Sequence, residues 1–428
     1  MKKNPKVWGE IRDPVHGYVI VNELEKSVLD TYPMQRLHRI KQLGNAYLTY
    51  PGADHSRFGH SLGVLHLASI ASNKLLDLGF SIDELQELRL AALLHDVGHG
   101  PFSHLFEEAV LRYKALSHED LTMKIIGNTE IKDKIEEFGY SPHRISLLSV
   151  GRLSSPLSIL ISGPFDLDKL DFLLRDSYYT GVEYGKVDAT RLLMSLRLVD
   201  ASLALELPAS LYALESLLIS RYEMFKAVYF HKTVRAAWVM LRKAVNIAYQ
   251  CERLFDFDNI EDYLSMDDGY VELELRKLSK RREALTKEMR ISCDLHDMLE
   301  RRNLFKSAYE IIVHKTEGTC IIDEKLKEEI EETIAGEAKV DRWMVVVDTP
   351  MIPSLPYTPT QPDPMEIPVC EEKEGVLVKR RLVEFSKLVE SLRGYVDIIR
   401  VYSHPNVRKE VTKASERVIG SLLPRNPP

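Results

Sequence analysis

Residues 93–104 read LLHDVGHGPFSH and follow an apolar segment with helical spacing. The doublet His95-Asp96 offers one nitrogen and one oxygen that can bind the same divalent cation. Gly98 and Gly100 lack side-chain bulk, so a phosphate group can approach the backbone closely there. A single His-Asp pair is more often a capping or surface pair. Its interpretation therefore depends on the residues that lie at matching distances on either side.

Two further segments supply candidate metal ligands. His60 precedes His95 by 35 residues, a distance that two antiparallel helices can close, and Asp168 lies at the start of a predicted helix. Together with Asp96 they give two imidazoles and two carboxylates, a mixed set that suits Fe, Mn, Zn, Ni or Mg without choosing among them. The alternatives are a core histidine at His60 and a helix N-cap at Asp168.

Composition indicates an ordinary globular protein. The 428 residues exceed the usual size of one domain and predict two lobes. No apolar run of the roughly 18 residues needed to span a membrane is present, and the N-terminal segment lacks the pattern of a signal peptide, so we expect a cytoplasmic protein without membrane contacts. A net charge of −7 disfavours a broad nucleic-acid surface. Four cysteines without a CxxC motif do not predict a disulfide scaffold.

The hydrophobic pattern predicts a mainly α protein with two parts. Alternation predicts a hairpin over 7–22, and helical spacing dominates from about residue 23 to 315. The predicted helices are Phe58–Leu78, Ile82–Leu94 with a capping box of Ser81 and Glu84, Leu167–Ser177, Ala209–Cys251 and a charged amphipathic helix pair over 279–315.

The hydrophobic pattern of the chain changes near residue 316. Trp343–Val347 and Tyr395–Tyr402 have the pattern of buried strands. The proline-rich stretch Pro350–Pro368 is incompatible with a helix or an inner strand and predicts an extended loop. We therefore expect a helical core over 1–315 and a small C-terminal α+β lobe over 316–428.

These motifs, in this order, resemble those of the HD-domain metal-dependent phosphohydrolases. The resemblance is closest to the deoxynucleoside triphosphate triphosphohydrolase branch, which includes bacterial dGTPases and the vertebrate sterile-alpha-motif/HD-domain dNTPase. It covers roughly residues 10–310. Its strongest stretches are 13–17, 35–37, 40–44, 50–53, 57–63, 95–104, 166–176, 229–232 and 302–306.

The resemblance implies a helical HD bundle that holds one divalent metal ion. The implied ligands are His60, His95, Asp96 and Asp168. The implied reaction is attack of water on the α-phosphorus of a deoxynucleoside triphosphate, which releases the deoxynucleoside and inorganic triphosphate. Mg²⁺ can accompany the substrate phosphates. The implied catalytic residues are His104, His118 and Glu107, where Glu107 stands in place of the family's aspartate and His118 has a surface position as its alternative.

The resemblance also assigns a substrate site. The implied phosphate contacts are Arg57, His99, Lys169 and Arg221. The implied sugar contacts are Gln42, Asp176 and Tyr229, of which Gln42 and Asp176 bond the 3′-hydroxyl, and Leu43 is a further implied substrate contact. Tyr229 packs beside the sugar and would disfavour ribose, with plain core packing as its alternative. Lys169 and Arg221, taken alone, are typical of exposed helix residues. Phe172 occupies a position where close relatives have tyrosine.

A second nucleotide site is implied by another group of residues. Asp30 and Gln35 match positions that bind an activating guanine nucleotide, and Arg302 and Lys306 match phosphate-binding positions in the family. Close relatives are tetramers when active, so the resemblance implies a homotetramer activated by dGTP or GTP. His38 replaces an expected arginine. Gly9 stands where a lysine is expected. The alternative role of Arg302 and Lys306 is to form a solvated helix face.

Two other functions compete with dNTP hydrolysis. One is an HD phosphohydrolase that acts on nucleoside monophosphates or other phosphate esters. The other is a nucleotide-sensing or nucleic-acid-binding module whose HD site is vestigial. Lys169, Arg221 and Tyr229 favour the triphosphate, and the complete metal set disfavours a vestigial site.

Overall fold

The computed structural model describes residues 2–3, 5–315, 322–353, 367–391 and 395–422. By its internal contacts the chain divides into two compact units, each assembled from three segments. The first unit comprises 1–224, 255–271 and 357–392, and the second comprises 225–254, 272–356 and 393–428. The boundary predicted at residue 316 therefore lies within one segment of the second unit. As a statement about independent folding it stays a prediction.

Helices dominate the described residues, so the prediction of a mainly α protein is confirmed. In chain order they are α1 (Glu23–Leu29), α2 (Tyr32–Arg36), α3 (Arg57–Asp77), α4 (Ile82–Leu94), α5 (His104–Ala109), α6 (His118–Asn128), α7 (Glu130–Glu137), α8 (Pro142–Ser149), α9 (Leu167–Thr180), α10 (Ala189–Met194), α11 (Leu211–Met224), α12 (Lys232–Glu252), α13 (Ile260–Leu264), α14 (Asp268–Lys280), α15 (Lys287–Glu300), α16 (Glu324–Ala338), α17 (Lys387–Ser391) and α18 (Arg408–Leu422).

Among the described residues, the strands form three small sheets. They are β1 (Val7–Asp13), β2 (Gly17–Asn22), β3 (Leu196–Val199), β4 (Ser202–Glu206), β5 (Lys306–Lys315), β6 (Val345–Asp348), β7 (Met351–Pro353), β8 (Pro368–Lys373), β9 (Val376–Arg381) and β10 (Tyr395–Ser403). The hairpin β1-β2 confirms the prediction for 7–22, and Gly17 supplies the positive φ of +81° at its turn. The other sheets have the orders β3-β4-β8-β9 and β5-β10-β6, with β7 also paired to β10.

In the first unit, α3 and α4 form a helical hairpin at the centre of the bundle. α3 is buried on most faces because it packs against α4 and α9, while α4 also packs against α8. Ser81 accepts a hydrogen bond from the Glu84 amide, and the Glu84 carboxylate accepts one from the Ser81 amide. This capping box starts α4 at the predicted residue. The helix then ends at Leu94, directly before His95.

Residues 368–381 belong to the first unit instead of a separate C-terminal lobe. β8 lies beside β4 in parallel, with Leu205 opposite Val369, and β9 continues the sheet. In the second unit, β10 pairs with β5 on one side and with β6 and β7 on the other. α16 and α18 cover this sheet through an apolar core that includes Ile334, Val401 and Val411.

Two predicted helical segments were wrong in extent. The segment 209–251 is two helices, because a π-helical turn at Phe225–Tyr229 separates α11 from α12. Within that turn, Phe230 donates its amide to Phe225 O at 2.8 Å, an i to i+5 bond that α-helical spacing does not make. The segment 279–315 is not a helix pair, since its end is strand β5. β5 contains the β-branched run 311–313 and pairs with β10, a partner far away in sequence.

The proline-rich segment also differs in part from the prediction. Met351–Pro353 forms β7, which takes an outer position on β10 that tolerates a proline, and Pro368 begins β8. Residues 354–366 lie outside the described residues. The strand predicted from Trp343 begins at Val345, after a short 3-10 turn. Among the described residues, no helix has both the length and the apolar character needed to cross a bilayer.

Candidate metal centre and catalytic site

Three helices of the first unit bring the four predicted metal ligands together. His60 lies on the first turn of α3, His95 and Asp96 follow α4, and Asp168 lies on the first turn of α9. The N-cap of α9 is Asp166, so the alternative role of Asp168 as the cap was wrong. His60 Nε2 lies 3.0 Å from Asp168 Oδ1 and 3.6 Å from Asp96 Oδ2, and His95 Nε2 lies 3.8 Å from Asp168 Oδ1.

The hydrogen bonds of the two imidazoles leave their metal-facing nitrogens available. His60 Nδ1 lies 2.7 Å from Asp171 Oδ2, and His95 Nδ1 lies 2.9 Å from Ala92 O. Because both partners are acceptors, each Nδ1 carries a proton, and each Nε2 presents a lone pair in the neutral ring, the form in which histidine binds a metal. Both Nε2 atoms are buried without a hydrogen-bond partner among the described residues. The donor set therefore fits a divalent cation, with His60, His95 and Asp168 close enough to share one.

Carboxylates shape the electrostatics of this cluster. Burial lowers the pKa of His60, but the carboxylates of Asp168 and Asp171 more than offset it and raise the pKa to about 10. Burial raises the pKa of Asp168, yet its contacts with His60 and His95 hold that pKa well below the usual range. The carboxylates of this cluster are therefore ionised, and their negative charge suits a cation.

Asp171 connects the candidate metal centre to the β1-β2 hairpin and to Arg175 on α9. Its fully buried carboxylate contacts His60 Nδ1 at 2.7 Å, His16 Nε2 at 2.6 Å and Arg175 Nε at 2.8 Å. Arg175 in turn donates to Asp13 Oδ2 at 2.9 Å. A carboxylate that fixes the second nitrogen of a metal-binding histidine determines the orientation of its ring. Residues from the β1-β2 hairpin and α9 therefore position the ligand on α3.

Gly63 allows α3 and α9 to approach each other at this point. A Cβ atom at position 63 would overlap Asp171 Oδ1 and Arg175 Nη2. The glycine lies one helical turn after His60, on the side that faces Asp171. The absence of a side chain here is therefore a condition for the contact between His60 and Asp171.

Asp96 contacts cationic and imidazole groups on its other side. Arg57 Nη1 donates to Asp96 Oδ2, and His99 Nε2 lies 3.2 Å from Asp96 Oδ1. Arg57 Nε also donates to Ser103 Oγ at 2.6 Å. Burial raises the pKa of Asp96, but Arg57 and His95 hold it well below its usual range. Burial and Arg57 lower the pKa of His99, so its imidazole is neutral.

The three predicted catalytic residues form one hydrogen-bonded group beside His99. His118 Nδ1 lies 3.0 Å from Glu107 Oε2, and His104 Nδ1 lies 3.4 Å from the same oxygen. The rings of His99 and His118 stack at 4.1 Å. Burial raises the pKa of Glu107, and its contacts with both histidines reverse this and lower it strongly. The longer glutamate side chain therefore reaches both imidazoles from its position on α5.

The predicted sugar contacts Gln42 and Asp176 are connected through a histidine. His55 Nε2 lies 2.7 Å from Asp176 Oδ1, and the His55 carbonyl accepts the Gln42 backbone amide at 3.0 Å. Leu43 follows Gln42 and precedes a short 3-10 helix over 44–48. Gln42 is thus connected to His55 through the backbone, and Asp176 is connected to it through the side chains.

Two predicted phosphate contacts have different surroundings. Lys169 is buried and donates to Asp166 Oδ2 at 2.5 Å and to Gly163 O at 3.0 Å. Its ammonium group is therefore engaged by the loop that caps α9. Arg221 is buried in the last turn of α11, and Phe172 is half-buried on α9.

The remaining predicted residues are divided between the two units. In the first unit, Asp30 pairs with Lys26, Gln35 donates to Leu29 O at 2.9 Å, and the His38 ring stacks on Phe58 at 3.7 Å. Gly9 lies in β1. In the second unit, Tyr229 ends the π-helical turn, Arg302 follows α15 with a φ of +53°, and Lys306 begins β5. Their shared role in nucleotide binding stays a prediction.

Family models match most of the chain. The HD domain matches residues 57–148, which include His60, His95 and Asp96. The HD associated region matches residues 187–423, more than half of the chain.

The chain belongs to the HD-domain phosphohydrolase family.

Individual relatives agree with this assignment. An uncharacterized Bacillus subtilis protein, YwfO, is 41% identical over 249 residues, which are 56% of this chain and 55% of the relative. A Dictyostelium discoideum protein named deoxynucleoside triphosphate triphosphohydrolase SAMHD1 homolog is 32% identical over 329 residues, 73% of this chain and 62% of the relative. A crystal structure of a hypothetical protein from Aquifex aeolicus has a TM-score of 0.74 at 30% identity and covers 97% of this chain and 100% of that one.

The length of these matches limits what they carry over. The chain spans little more than half the length of the curated relatives it matches. The HD-domain assignment agrees with the cluster of His60, His95 and Asp168, which could hold a divalent cation. These matches do not determine the substrate, the activator or the assembly of this HD-domain protein.

Sequence reasoning did not assign roles to the residues that support the ligands. Asp171 lies in the same short segment as Asp168, and Asp13 and His16 lie in the hairpin motif 13–17. Only the structure shows that Asp171 contacts both His60 and His16, and that Arg175 links Asp171 to Asp13. His55 was also missed. Its position between the stretches 50–53 and 57–63, both of which resemble the family, was the available signal.

Proposed function

We propose that this HD-domain protein hydrolyses deoxynucleoside triphosphates to deoxynucleoside and inorganic triphosphate. The observation that carries the proposal is the pair of buried, unbonded Nε2 atoms of His60 and His95, which face Asp168 beside Asp96. A divalent cation in this set would polarise a phosphoryl group and lower the pKa of a bound water. The name of the Dictyostelium relative supports the choice of substrate.

The group formed by Glu107, His104 and His118 supplies the proton transfers. Glu107 accepts hydrogen bonds from the Nδ1–H groups of both histidines. Nε2 of each ring is then available to exchange a proton with the substrate. The departing 5′-oxygen needs a proton, and an imidazole provides one effectively near neutral pH. His104 is the better candidate donor because its side chain is 65% exposed, against 26% for His118. His118 holds Glu107 in place for that step.

Buried cations favour a substrate with several negative charges. Arg57 and Arg221 are both buried in the first unit, and Arg57 directly contacts Asp96. Buried arginine forks are well suited to phosphate oxygens. Lys169 would contribute only by exchanging its contacts with Asp166 and Gly163 for a phosphate oxygen. Such an exchange would favour the triphosphate over smaller esters, which need fewer cations.

Product analysis tests the proposal directly. Purified protein is incubated with each dNTP in the presence of Mn²⁺ or Mg²⁺, with and without dGTP, and the products are separated by ion exchange. We expect deoxynucleoside and inorganic triphosphate. Release of phosphate or pyrophosphate would contradict the proposal and support the alternative of a general HD phosphohydrolase. Hydrolysis of nucleoside monophosphates would support the same alternative.

An Asp96→Ala variant tests the metal site in the same assay. We expect loss of turnover together with a lower metal content after dialysis, because Asp96 lies beside both ligand imidazoles. The matched control is Asp77→Ala, which removes an exposed carboxylate at the end of α3. Normal activity of the Asp96 variant would refute the metal mechanism. Equal losses in both variants would also count against it.

The regulatory part of the proposal concerns assembly. We propose that dGTP or GTP binds through Asp30, Gln35, Arg302 and Lys306 and favours a homotetramer. A ligand that binds only the assembled form must favour assembly by linkage. The expected cytoplasmic location also stays a prediction.

A further inference from the structure

A short backbone ladder before α3 links the sugar contacts to the metal-binding helix. Gln42 donates its amide to His55 O at 3.0 Å, and Arg57 donates its amide to Ile40 O at 2.9 Å. The two paired segments, 40–42 and 55–57, cannot shift independently, because these hydrogen bonds fix their register. The position of His55 is therefore set by the same backbone that begins α3.

The imidazole of His55 is held on two further sides. Its Nε2 lies 2.7 Å from Asp176 Oδ1, and both residues are buried, with relative exposures of 7% and 2%. A carboxylate only accepts, so the Nε2–H donates. The ring also stacks on Tyr179 at 4.5 Å with an interplanar angle of 15°. His55 thus contributes to the orientation of the Asp176 carboxylate.

Two buried polar atoms in this cluster have no hydrogen-bond partner among the described residues. They are Gln42 Oε1 and His55 Nδ1. In the neutral ring with its proton on Nε2, Nδ1 is an acceptor, and an amide oxygen is always one. Buried acceptors of this kind normally have a donor, and leaving them without one is costly. The cluster therefore lacks a donor, and a sugar hydroxyl is a donor of suitable chemistry.

We propose that His55 is a positioning residue that orients Asp176 toward the 3′-hydroxyl of the deoxyribose. This inference rests on the proposed dNTP hydrolysis and adds the residue that selects substrates with a free 3′-hydroxyl. His55 acts through Asp176 and Gln42 and does not take part in the chemistry at phosphorus. Without its Nε2–H, the buried Asp176 Oδ1 loses a charge-assisted hydrogen bond.

A double comparison of protein variants and substrates tests this role. His55→Ala and His55→Gln are measured with a dNTP and with the matching 2′,3′-dideoxynucleotide, which lacks the 3′-hydroxyl. We expect His55→Ala to lower kcat/KM for the dNTP by about tenfold, mainly through KM, and to leave the dideoxynucleotide nearly unchanged. Glutamine places an amide nitrogen near the original Nε2, so His55→Gln should recover part of the loss. His143→Ala, an exposed histidine of the same unit, is the control.

The outcomes separate this role from simple structural support. An equal loss on both substrates, or no loss on either, would overturn the assignment of His55. The melting temperatures of His55→Gln and His143→Ala are also compared. Equal values show that both variants are folded when their kinetics are measured. A wild-type protein that hydrolyses no dNTP would refute the proposed function, and the sugar role of His55 with it. Wild-type hydrolysis with an unchanged substrate ratio in His55→Ala would refute the positioning role alone.

Discussion

Replacing Asp171 with Asn probes how the metal centre depends on a residue that does not itself face the metal. The carboxylate is fully buried and contacts His60, His16 and Arg175 within 2.6–2.8 Å. Asparagine has nearly the same shape but loses the negative charge and one acceptor oxygen. At least one of the donors would then face an amide NH₂ group instead of an acceptor.

Two effects of different magnitude are expected from Asp171→Asn. Removing one partner of a buried ion pair typically costs about 3–5 kcal/mol. Arg175 keeps its bond to Asp13 at 2.9 Å, so we expect a loss in unfolding free energy near the lower end of that range. The ring of His60 also loses its fixed orientation. Mutation of such supporting residues commonly lowers metal affinity by about 10–100-fold.

Metal-buffered dialysis followed by elemental analysis gives the affinity, and urea unfolding in the presence of a chelator gives the stability. Asp77→Asn, on the exposed end of α3, is the control for charge removal. Reduced stability with unchanged metal affinity would refute the positioning of His60 by Asp171. The chelator matters because bound metal would otherwise add to the apparent stability.

Three further predictions concern the reaction and its control. His104→Ala and His118→Ala should each lower kcat by about 10²–10⁴-fold while metal content is kept, and loss of metal from either variant would make that histidine a ligand. Tyr229→Ala should narrow the ratio of kcat/KM between dGTP and GTP, and an unchanged ratio would locate sugar discrimination elsewhere. Joint replacement of Arg302 and Lys306 by Ala should weaken nucleotide-induced tetramer formation in sedimentation experiments. A wild-type protein that is tetrameric and active without nucleotide would contradict this regulation.

Local signals predicted the fold where structure is determined locally. Ser81 and Glu84 specify the start of α4 through their own hydrogen bonds, so the helix begins where predicted. β5 shows the opposite case. Its charged flanks suggested a helix, but its pairing with β10 is formed with residues about ninety positions later. Helical periodicity continues through 209–251 in the sequence and does not reveal the π-helical turn, whose i to i+5 bond depends on backbone packing.

The candidate site shows a similar division. The candidate ligands His60, His95 and Asp168 could be proposed from the sequence because a metal requires particular donor atoms, and these leave a recognisable pattern of residue types. The structure does bring those three residues together. The supporting contacts of Asp171 and His55 were not predictable in the same way. Aspartate and histidine in such positions have many ordinary roles, and only proximity in three dimensions identifies which role applies.

The close approach at Gly63 has a consequence for comparing HD-domain sequences. A chain with alanine at this position would keep all four ligand residues and would still match a motif that counts them. Its Asp171 carboxylate would nevertheless be displaced, because the added methyl group overlaps it. Such a protein could lose metal without losing any ligand. Surveys that sort active from inactive relatives by their ligands alone would misassign it, and a single glycine one helical turn beyond the histidine would be the more informative character.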